Sequence, residues 1–421
     1  MTAAAGQVGA DAASRSAPGD AARARLVHVT TSPATLGFLR GQAAFLRGAG
    51  FGVQAIASPG PELRAFGDAE KVPVHAVAMA RQIAPLRDLA ALWRLWRLLR
   101  EIRPAVVDAH TPKAGLLGMI SATLARTPVR VYHLHGLRFI TTSGWKRRLL
   151  RLTERISCGL AHRVLAVSPS VRDIAVEEGL CPPWKIAVLL GGTVNGVDAT
   201  RRFRPQPESV RTAARSAQGI PHDALVVGFV GRLARDKGIV ELALAWRELR
   251  ADPRLHLLLV GPVDPTDMLP RELLADLGAD PRVHMTGVVD DTPPRYAAMD
   301  VVALPTYREG FPQIALEAAA MGLPLVATAV SGCVDAVRDG VTGTLVPARD
   351  GGALAAAIRR YLRDPALRAA HGAAARRRVL AEFSQDAIQE AHAAEYRDLI
   401  ERAARARSSS RLARSGAEGR R

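Results

Sequence analysis

Two successive series of short apolar runs, each alternating with helix-patterned segments, constrain the fold of this chain more than any other feature. In the first series, residues 26–31, 53–58, 105–110, 129–135, 163–168 and 185–190 read as strands, with helices over 38–48, 86–102 and 113–125. The rhythm restarts after Pro205 and Pro207. Strands are predicted at 225–231, 255–261, 283–286, 301–305 and 325–328, and helices at 239–252 and 312–321. Strands this apolar belong in parallel sheets covered by helices on both faces. The fold class is therefore α/β, with two doubly wound, Rossmann-like domains facing each other. Ligands of such sheets bind beyond the carboxyl ends of the strands, here in the cleft between the domains. A length of 421 residues also suits two domains better than one core.

Residues 1–24 are mostly Ala, Gly, Ser and Asp and read as a disordered extension. The expected domains span residues 25–204 and 205–385, followed by a C-terminal helix over 386–405 and a disordered basic tail over 406–421. The formal net charge is +17, and seven arginines against one glutamate between Arg402 and Arg421 put about +6 of it near that tail. The surplus favours anionic partners: phosphates, nucleic acid or an acidic membrane. A nucleic-acid binder, however, interleaves aromatic with basic residues, and aromatics are only 5% of this chain, so no nucleic acid is expected. Cys158, Cys181 and Cys333 lack metal-ligand spacing and read as buried thiols of a reducing compartment. The N-terminus has no signal-peptide pattern, and no uncharged run is long enough to span a bilayer. A cytoplasmic protein is expected, able to touch the membrane from that side.

The most informative stretch is LPTYREGFPQIALEAAAM, residues 304–321. A strand ends at Pro305, a loop carries Glu309 and Gly310, and a helix begins near Pro312. Free amides at that helix start can hold a phosphate or a sugar hydroxyl. Glu309 and Glu317, one in the loop and one on the helix, suit a polyhydroxylated ligand because carboxylates accept hydroxyl protons. On a structural reading, Glu309 caps the helix and Glu317 is a surface residue. A second stretch, VVGFVGRLARDKG over 226–238, runs from a strand into a Gly-rich turn with Arg232 and Lys237. Both cations follow the carboxyl end of a strand, where a diphosphate would sit. No Asp-x-Asp pattern occurs, so Arg232, Lys237 and a helix dipole are expected to neutralise a leaving diphosphate without metal. The third stretch, VRVYHLHGLRF over 129–139, sets His133 and His135 on one face of a strand. His135, just before Gly136, is expected in the cleft and His133 in the core. A zinc reading would recruit His110, but nothing else in the spacing supports it, and no metal or cofactor is expected.

Together these residues resemble the retaining glycosyltransferases of family 4, which have the GT-B fold. The family's E-x7-E signature corresponds to Glu309 and Glu317. Its G-R-x4-K clamp corresponds to Gly231, Arg232 and Lys237, and its histidine before glycine to His135. The match spans residues 26–395, with the motifs in the family's order. The segments 38–42, 111–115, 194–198 and 331–335 look like the capsule and lipid-linked oligosaccharide branch, whose members build surface polysaccharide on a polyprenyl diphosphate carrier. Two departures stand out: the first loop, 31–37, lacks the family's frequent Gly-Gly pair, and Asp335 stands where Glu is frequent.

The resemblance implies a nucleotide-diphosphate sugar, UDP-linked, as donor and co-substrate, carrying a hexose or an N-acetylhexosamine. Glu309 and His135 would be the catalytic residues. Arg232, Lys237, Gly310, Phe311, Pro312, Gln313, Ile314 and Glu317 would bind the donor, with Glu309 on sugar hydroxyls and Glu317 on the ribose. The first domain would take the acceptor, with Gly37, Gln42, His110 and Lys113 as candidates, and the second would bind the nucleotide sugar. Retention would proceed by front-face attack, the diphosphate oxygen taking the acceptor proton. An alternative is a transferase of secondary metabolism acting on a small aminocyclitol or aglycone. For membrane contact, residues 86–102 carry Leu86, Leu89, Leu92, Trp93, Trp96 and Leu99 among arginines, and 145–151 form a second basic, partly apolar run. If the first stripe instead packs on the sheet, its arginines are merely solvated.

Overall fold

A computed structural model describes residues 23–80 and 82–418, with side chains through Ser409. The expected N-terminal extension lies outside the described residues except for Arg23 and Ala24, and Ala24 already opens the first strand.

The first sheet contains β1 (Ala24–Val29), β2 (Phe51–Ala57), β3 (Val74–Ala76), β4 (Val106–His110), β5 (Val129–Leu134), β6 (Arg163–Ala166) and β7 (Ile186–Ala187). The second contains β8 (Leu225–Val230), β9 (Leu255–Val260), β10 (Val283–Gly287), β11 (Val301–Leu304), β12 (Leu325–Thr328) and β13 (Gly343–Val346). Their orders are β3-β2-β1-β4-β5-β6-β7 and β10-β9-β8-β11-β12-β13. Every strand pairing within the two sheets is parallel. The order reverses between β1 and β4 in one sheet and between β8 and β11 in the other. These are the switch points where a doubly wound sheet opens a crevice.

The helices are α1 (Gln42–Gly48), α2 (Pro61–Glu70), α3 (Pro85–Ile102), α4 (Pro112–Leu124), α5 (Gly144–Leu160), α6 (Pro169–Glu177), α7 (Glu208–Ser216), α8 (Ile239–Leu249), α9 (Arg271–Ala279), α10 (Pro293–Ala297), α11 (Gln313–Ala320), α12 (Cys333–Ala336), α13 (Gly351–Arg363), α14 (Pro365–Glu382) and α15 (Gln385–Glu418). Proline opens α2, α3, α4, α6 and α14, where its missing N–H costs no hydrogen bond. The predicted helix over 38–48 is broken: Pro33–Leu39 forms a 3-10 turn, Gly41 takes φ +78°, and the α-helix starts only at Gln42.

Alternate residues of the first sheet serve opposite faces. Val27, Val29, Val107, Ala109, Tyr132 and Leu134 pack into the core that also takes Ala91, Leu95 and Leu99 of α3 and Ala114 of α4. Leu26, Val106, Val129 and Val131 face the other way, against Ala43 and Leu46 of α1, Leu63 of α2, and Ala393 and Tyr396 of α15. The C-terminal helix therefore returns to cover the first domain. Val197, Ala199 and Phe203 pack into the core of the second, so the change of domain falls before residue 204.

α15 also corrects the expected tail, because it stays helical beyond residue 405. Ala and Arg are strong helix formers, and the pairs Arg402–Asp398 and Arg405–Glu401 fall at helical spacing. Residues 404–409 are exposed, so the segment is solvated, as expected, but ordered as helix. The three cysteines are buried and free. No helix among the described residues is long and apolar enough to cross a membrane.

Candidate active site

The second domain's wall of the cleft is built from the turns after β8 and β11. Gly238 closes the turn after β8 at φ +72°, and a Cβ there would lie 1.9 Å from Pro305 O, so only glycine lets the two turns meet. Tyr307 N donates to Asp236 O at 2.9 Å and Thr306 Oγ1 to the same oxygen at 3.2 Å. These bonds bring Lys237 Nζ to Glu309 Oε1 at 2.5 Å. Arg232 pairs with Asp264 and lies 3.7 Å from Asp236, its side chain 48% exposed. Part of its fork therefore stays open to solvent.

α11 begins just beyond Glu309. Pro312 is its N-cap, one residue earlier than the first-turn position the sequence suggests. Ala315 N bonds back to Pro312 O at 3.0 Å. The backbone N–H groups of Gln313 and Ile314 precede it and have no partner within the helix, and those of Gly310 and Phe311 lie in the loop just before. Phe311 packs against Phe383, with ring centroids 5.2 Å apart, and Gln313 Nε2 donates to Gly196 O at 2.9 Å. Glu317 is half-buried, not an open surface residue. Its Oε2 accepts from the Tyr296 hydroxyl at 2.8 Å, and burial pushes its carboxyl up to about 7 against the lowering effect of that bond.

The first domain's wall comes within contact at Gly310. A Cβ on Gly310 would lie 1.4 Å from His135 O, and one on Gly332 would lie 2.3 Å from Gly310 O. A latch beside this point joins the domains: Ser170 donates its backbone N–H at 3.2 Å, and its hydroxyl, to Asp335 Oδ2, while Gly332 N donates to Ser170 Oγ at 2.8 Å. The Asp at position 335 is thus a domain-bridging acceptor.

Behind His135 lies a cluster set by strand register. His28 of β1 stands opposite Asp108 of β4, and His110 of β4 stands opposite His133 of β5. All four side chains share the sheet face that α15 covers. The Tyr396 hydroxyl donates to Asp108 Oδ2 at 2.5 Å and His133 Nδ1 to the same oxygen at 3.3 Å. His110 Nδ1 lies 2.9 Å from His135 Nε2, and His133 Nε2 lies 3.5 Å from His392 Nε2. Burial pushes His28 down to about 3 and also lowers His110 and His135. Burial alone would raise the Asp108 carboxyl, but His110 and His133 hold it well below the usual carboxylate range. Asp108 Oδ1 and His28 Nε2 are buried without a hydrogen-bond partner.

Sequence relationships decide the family. A family model described as Glycosyl transferases group 1 matches residues 224–364, and one described as Glycosyl transferase 4-like domain matches residues 38–192. The capsular polysaccharide biosynthesis glycosyltransferase CapM of Staphylococcus aureus is 31% identical over 367 residues, covering 87% of this chain and 95% of CapM. The chain belongs to the family-4 glycosyltransferases. The UDP-Gal:alpha-D-GlcNAc-diphosphoundecaprenol alpha-1,3-galactosyltransferase of Escherichia coli is 28% identical over 279 residues, 65% of this chain and 70% of that one. With CapM, it sets the chain in the capsule and lipid-linked branch. The Anabaena HepE structure in complex with UDP and glucose superposes with a TM-score of 0.76 at 22% identity, covering 89% of this chain and all of that one, and has the same GT-B fold.

Among the positions that the family-4 resemblance singles out, the structure brings Glu309, Lys237, Gly310 and His135 together. The acceptor-side candidates disperse. Gln42 is 1% exposed, with its Nε2 donating to Val194 O at 3.3 Å. It ties α1 to the 194–198 segment, where Asn195 Nδ2 also donates to Arg40 O at 2.7 Å. His110 is buried in the histidine cluster. These two therefore lie inside the domain, because β4 and the start of α1 are covered by α15 and the 194–198 segment. Lys113 pairs with Asp88 at 2.7 Å, and a Cβ on Gly37 would meet nothing within 4 Å. The Gly-Gly-free first loop is held by a different device: Thr31 Oγ1 lies 2.9 Å from Thr111 Oγ1 and accepts from Ala114 N at 3.0 Å. Sequence reasoning missed Asp264, Tyr296, Ser170, His28 and Asp108, which gain a role only through long-range pairing.

Proposed function

We propose that this glycosyltransferase moves a hexose or N-acetylhexosamine from a UDP-linked sugar, with retention, to a hydroxyl of a polyprenyl-diphosphate-linked glycan in surface polysaccharide synthesis. The observation that carries the reading is the meeting of Glu309, Lys237 and the open start of α11 with His135 across the cleft. Glu309 accepts hydroxyl protons of the donor sugar, and Glu317 those of the ribose. The ammonium of Lys237 has three donors, so it can keep Glu309 and still face the diphosphate. Arg232 and the α11 amides supply the remaining positive potential. The bond from the anomeric carbon to the diphosphate oxygen breaks as that from the acceptor oxygen forms on the same face. The acceptor proton passes to the departing oxygen. Support for donor and acceptor comes from the lipid-linked galactosyltransferase and the UDP complex among the relatives.

The test is transfer from a UDP-sugar panel to a synthetic polyprenyl-diphosphate sugar, with the product anomer read by NMR. An α-linked product from an α-donor is expected; an inverted product, or transfer only to small aglycones, contradicts the reading.

The donor diphosphate is handled by Arg232 and Lys237 in this account. Arg232→Ala should therefore lower kcat/KM roughly tenfold to a hundredfold, the worth of about 1.5–3 kcal/mol for a hydrogen bond to a charged group. Added Mg²⁺ or Mn²⁺ should leave the rate unchanged. Strict dependence on millimolar added cation would contradict the assignment.

Membrane attachment belongs to the same proposal, on the cytoplasmic face. α3 buries Ala91, Leu95, Leu99 and Ile102 but leaves Leu86 84% and Trp93 55% exposed. Of the six apolar residues in the predicted stripe, only Leu99 is fully buried, because a helix lying on another turns the i, i+4 row inward. α4 packs between α3 and α5. On α5, Trp145 is 65% exposed next to Lys146 and Arg148, and Arg147 pairs with Glu178. Apolar and basic side chains on one layer suit an acidic leaflet, at on the order of 1 kcal/mol per basic residue. Salt-sensitive flotation with anionic liposomes is expected, and replacing Lys146, Arg147 and Arg148 with Glu should weaken it. A wild type that ignores anionic vesicles at low salt removes the membrane from the account.

A further inference from the structure

The buried cluster behind His135 has the donor set and spacing of a metal site. Nδ1 of His28 and Nε2 of His110 are 3.1 Å apart. Asp108 Oδ2 lies 3.4 Å from the second and 3.7 Å from the first. A tetrahedral cation with bonds of about 2.0–2.1 Å holds its ligand atoms about 3.3 Å apart. The observed triangle brackets that edge, so one ion on its axis would reach all three atoms with only small rotations of the side chains. All three residues are fully buried.

Hydrogen bonding alone leaves this cluster unbalanced. Asp108 Oδ2 faces Tyr396 Oη, His133 Nδ1, His110 Nε2 and His28 Nδ1 at 2.5, 3.3, 3.4 and 3.7 Å. Its Oδ1, equally buried, has no hydrogen-bond partner among the described residues. Two imidazole nitrogens that converge on the crowded oxygen make a place for a cation, and Oδ1 lies outside that triangle. The outer contacts fit at Asp108 and His110, whereas His28 Nε2 has no hydrogen-bond partner among the described residues. Tyr396 and His133 would orient the carboxylate, and His110 presents its second nitrogen, Nδ1, to His135 Nε2 at 2.9 Å. Ligating histidines are held by just such a contact on the other ring nitrogen.

We propose that His28, Asp108 and His110 bind one divalent first-row cation, zinc foremost, inside the first domain. Two imidazoles and a carboxylate suit that class, and Mg²⁺ or Ca²⁺ would demand more oxygen ligands. Through His110, the ion fixes the orientation of the His135 ring. The site is separate from the diphosphate region and does not depend on the proposed donor or acceptor.

The site is enclosed, so the metal must enter during folding. The test uses the untagged full-length chain from zinc-supplemented cells, passed through a chelating column and analysed for metal. About one zinc per chain is expected. Growth with cobalt should give the visible bands of tetrahedral Co²⁺. His28→Gln and His110→Gln should each remove the metal. His256→Gln, which breaks the partly buried pair of His256 and His284 at 2.9 Å, should keep it. If the cluster variants fail to fold, X-ray absorption on the wild type decides: nitrogen and oxygen neighbours near 2.0–2.1 Å support the site. Sulfur neighbours, loss of metal with His256→Gln, or a folded wild type without metal after zinc-replete growth overturns it and leaves a hydrogen-bonded cluster only.

Discussion

Replacing Glu309 by glutamine should lower kcat for sugar transfer on the order of 10²- to 10³-fold, the scale of about 2.7–4 kcal/mol lost with one electrostatic stabiliser. Glutamine keeps the shape of the side chain and removes its charge. The carboxylate that accepts from Lys237 at 2.5 Å, and in this account from the donor sugar, becomes a neutral amide. The main chain there is held independently, by Ser331 Oγ donating to Glu309 O at 3.1 Å and by the bonds from Thr306 and Tyr307 to Asp236 O. Loss of one partly exposed ion pair costs stability on the order of 1 kcal/mol, too little to unfold the chain. Circular dichroism and the unfolding midpoint should stay close to wild type while transfer falls. A variant with nearly full kcat would show that the loop before α11 is not the site of transfer.

Gly310→Ala should have a comparable effect through geometry alone. The added methyl would overlap His135 O at 1.4 Å, so the two cleft walls must separate or the loop must move. A displacement of about 1 Å at reacting groups costs on the order of a hundredfold in rate. The contact involves loop backbone at the edge of the two cores, beside Val167 and Phe311, so the fold should persist, with a larger radius of gyration in small-angle scattering. Gly159→Ala, where a Cβ meets nothing within 4 Å, is the matched control and should change neither quantity. Full activity in Gly310→Ala would mean that the close approach of the walls is not used in catalysis.

The double series of buried parallel strands was legible because strand pattern and helix pattern alternate cleanly and proline marks the helix starts. Glu309, Lys237 and the start of α11 were legible for a local reason: each follows the carboxyl end of a strand within a few residues. Gln42 and His110 show the limit. Their places depend on α15 returning from the other end of the chain to cover the first sheet, which no local pattern announces. The same holds for Asp108, whose neighbours His28 and Tyr396 stand 80 and 288 residues away and meet it only through β1–β4 register and helix docking. The short strand Val74–Ala76 was missed because three residues carry no readable period. The helical tail was misread because composition reports solvation, whereas Ala, Arg and i, i+4 ion pairs also favour helix.

In the proposed reaction this cleft activates a nucleotide sugar. The most direct measurement needs no acceptor: incubation of the wild type and Glu309→Gln with a panel of nucleotide sugars, following release of the nucleoside diphosphate. The account predicts slow hydrolysis of a UDP-linked sugar by the wild type, inhibition by UDP, and near-background release by Glu309→Gln. Release by neither protein, with no binding of any nucleotide sugar to a folded wild type, would contradict it.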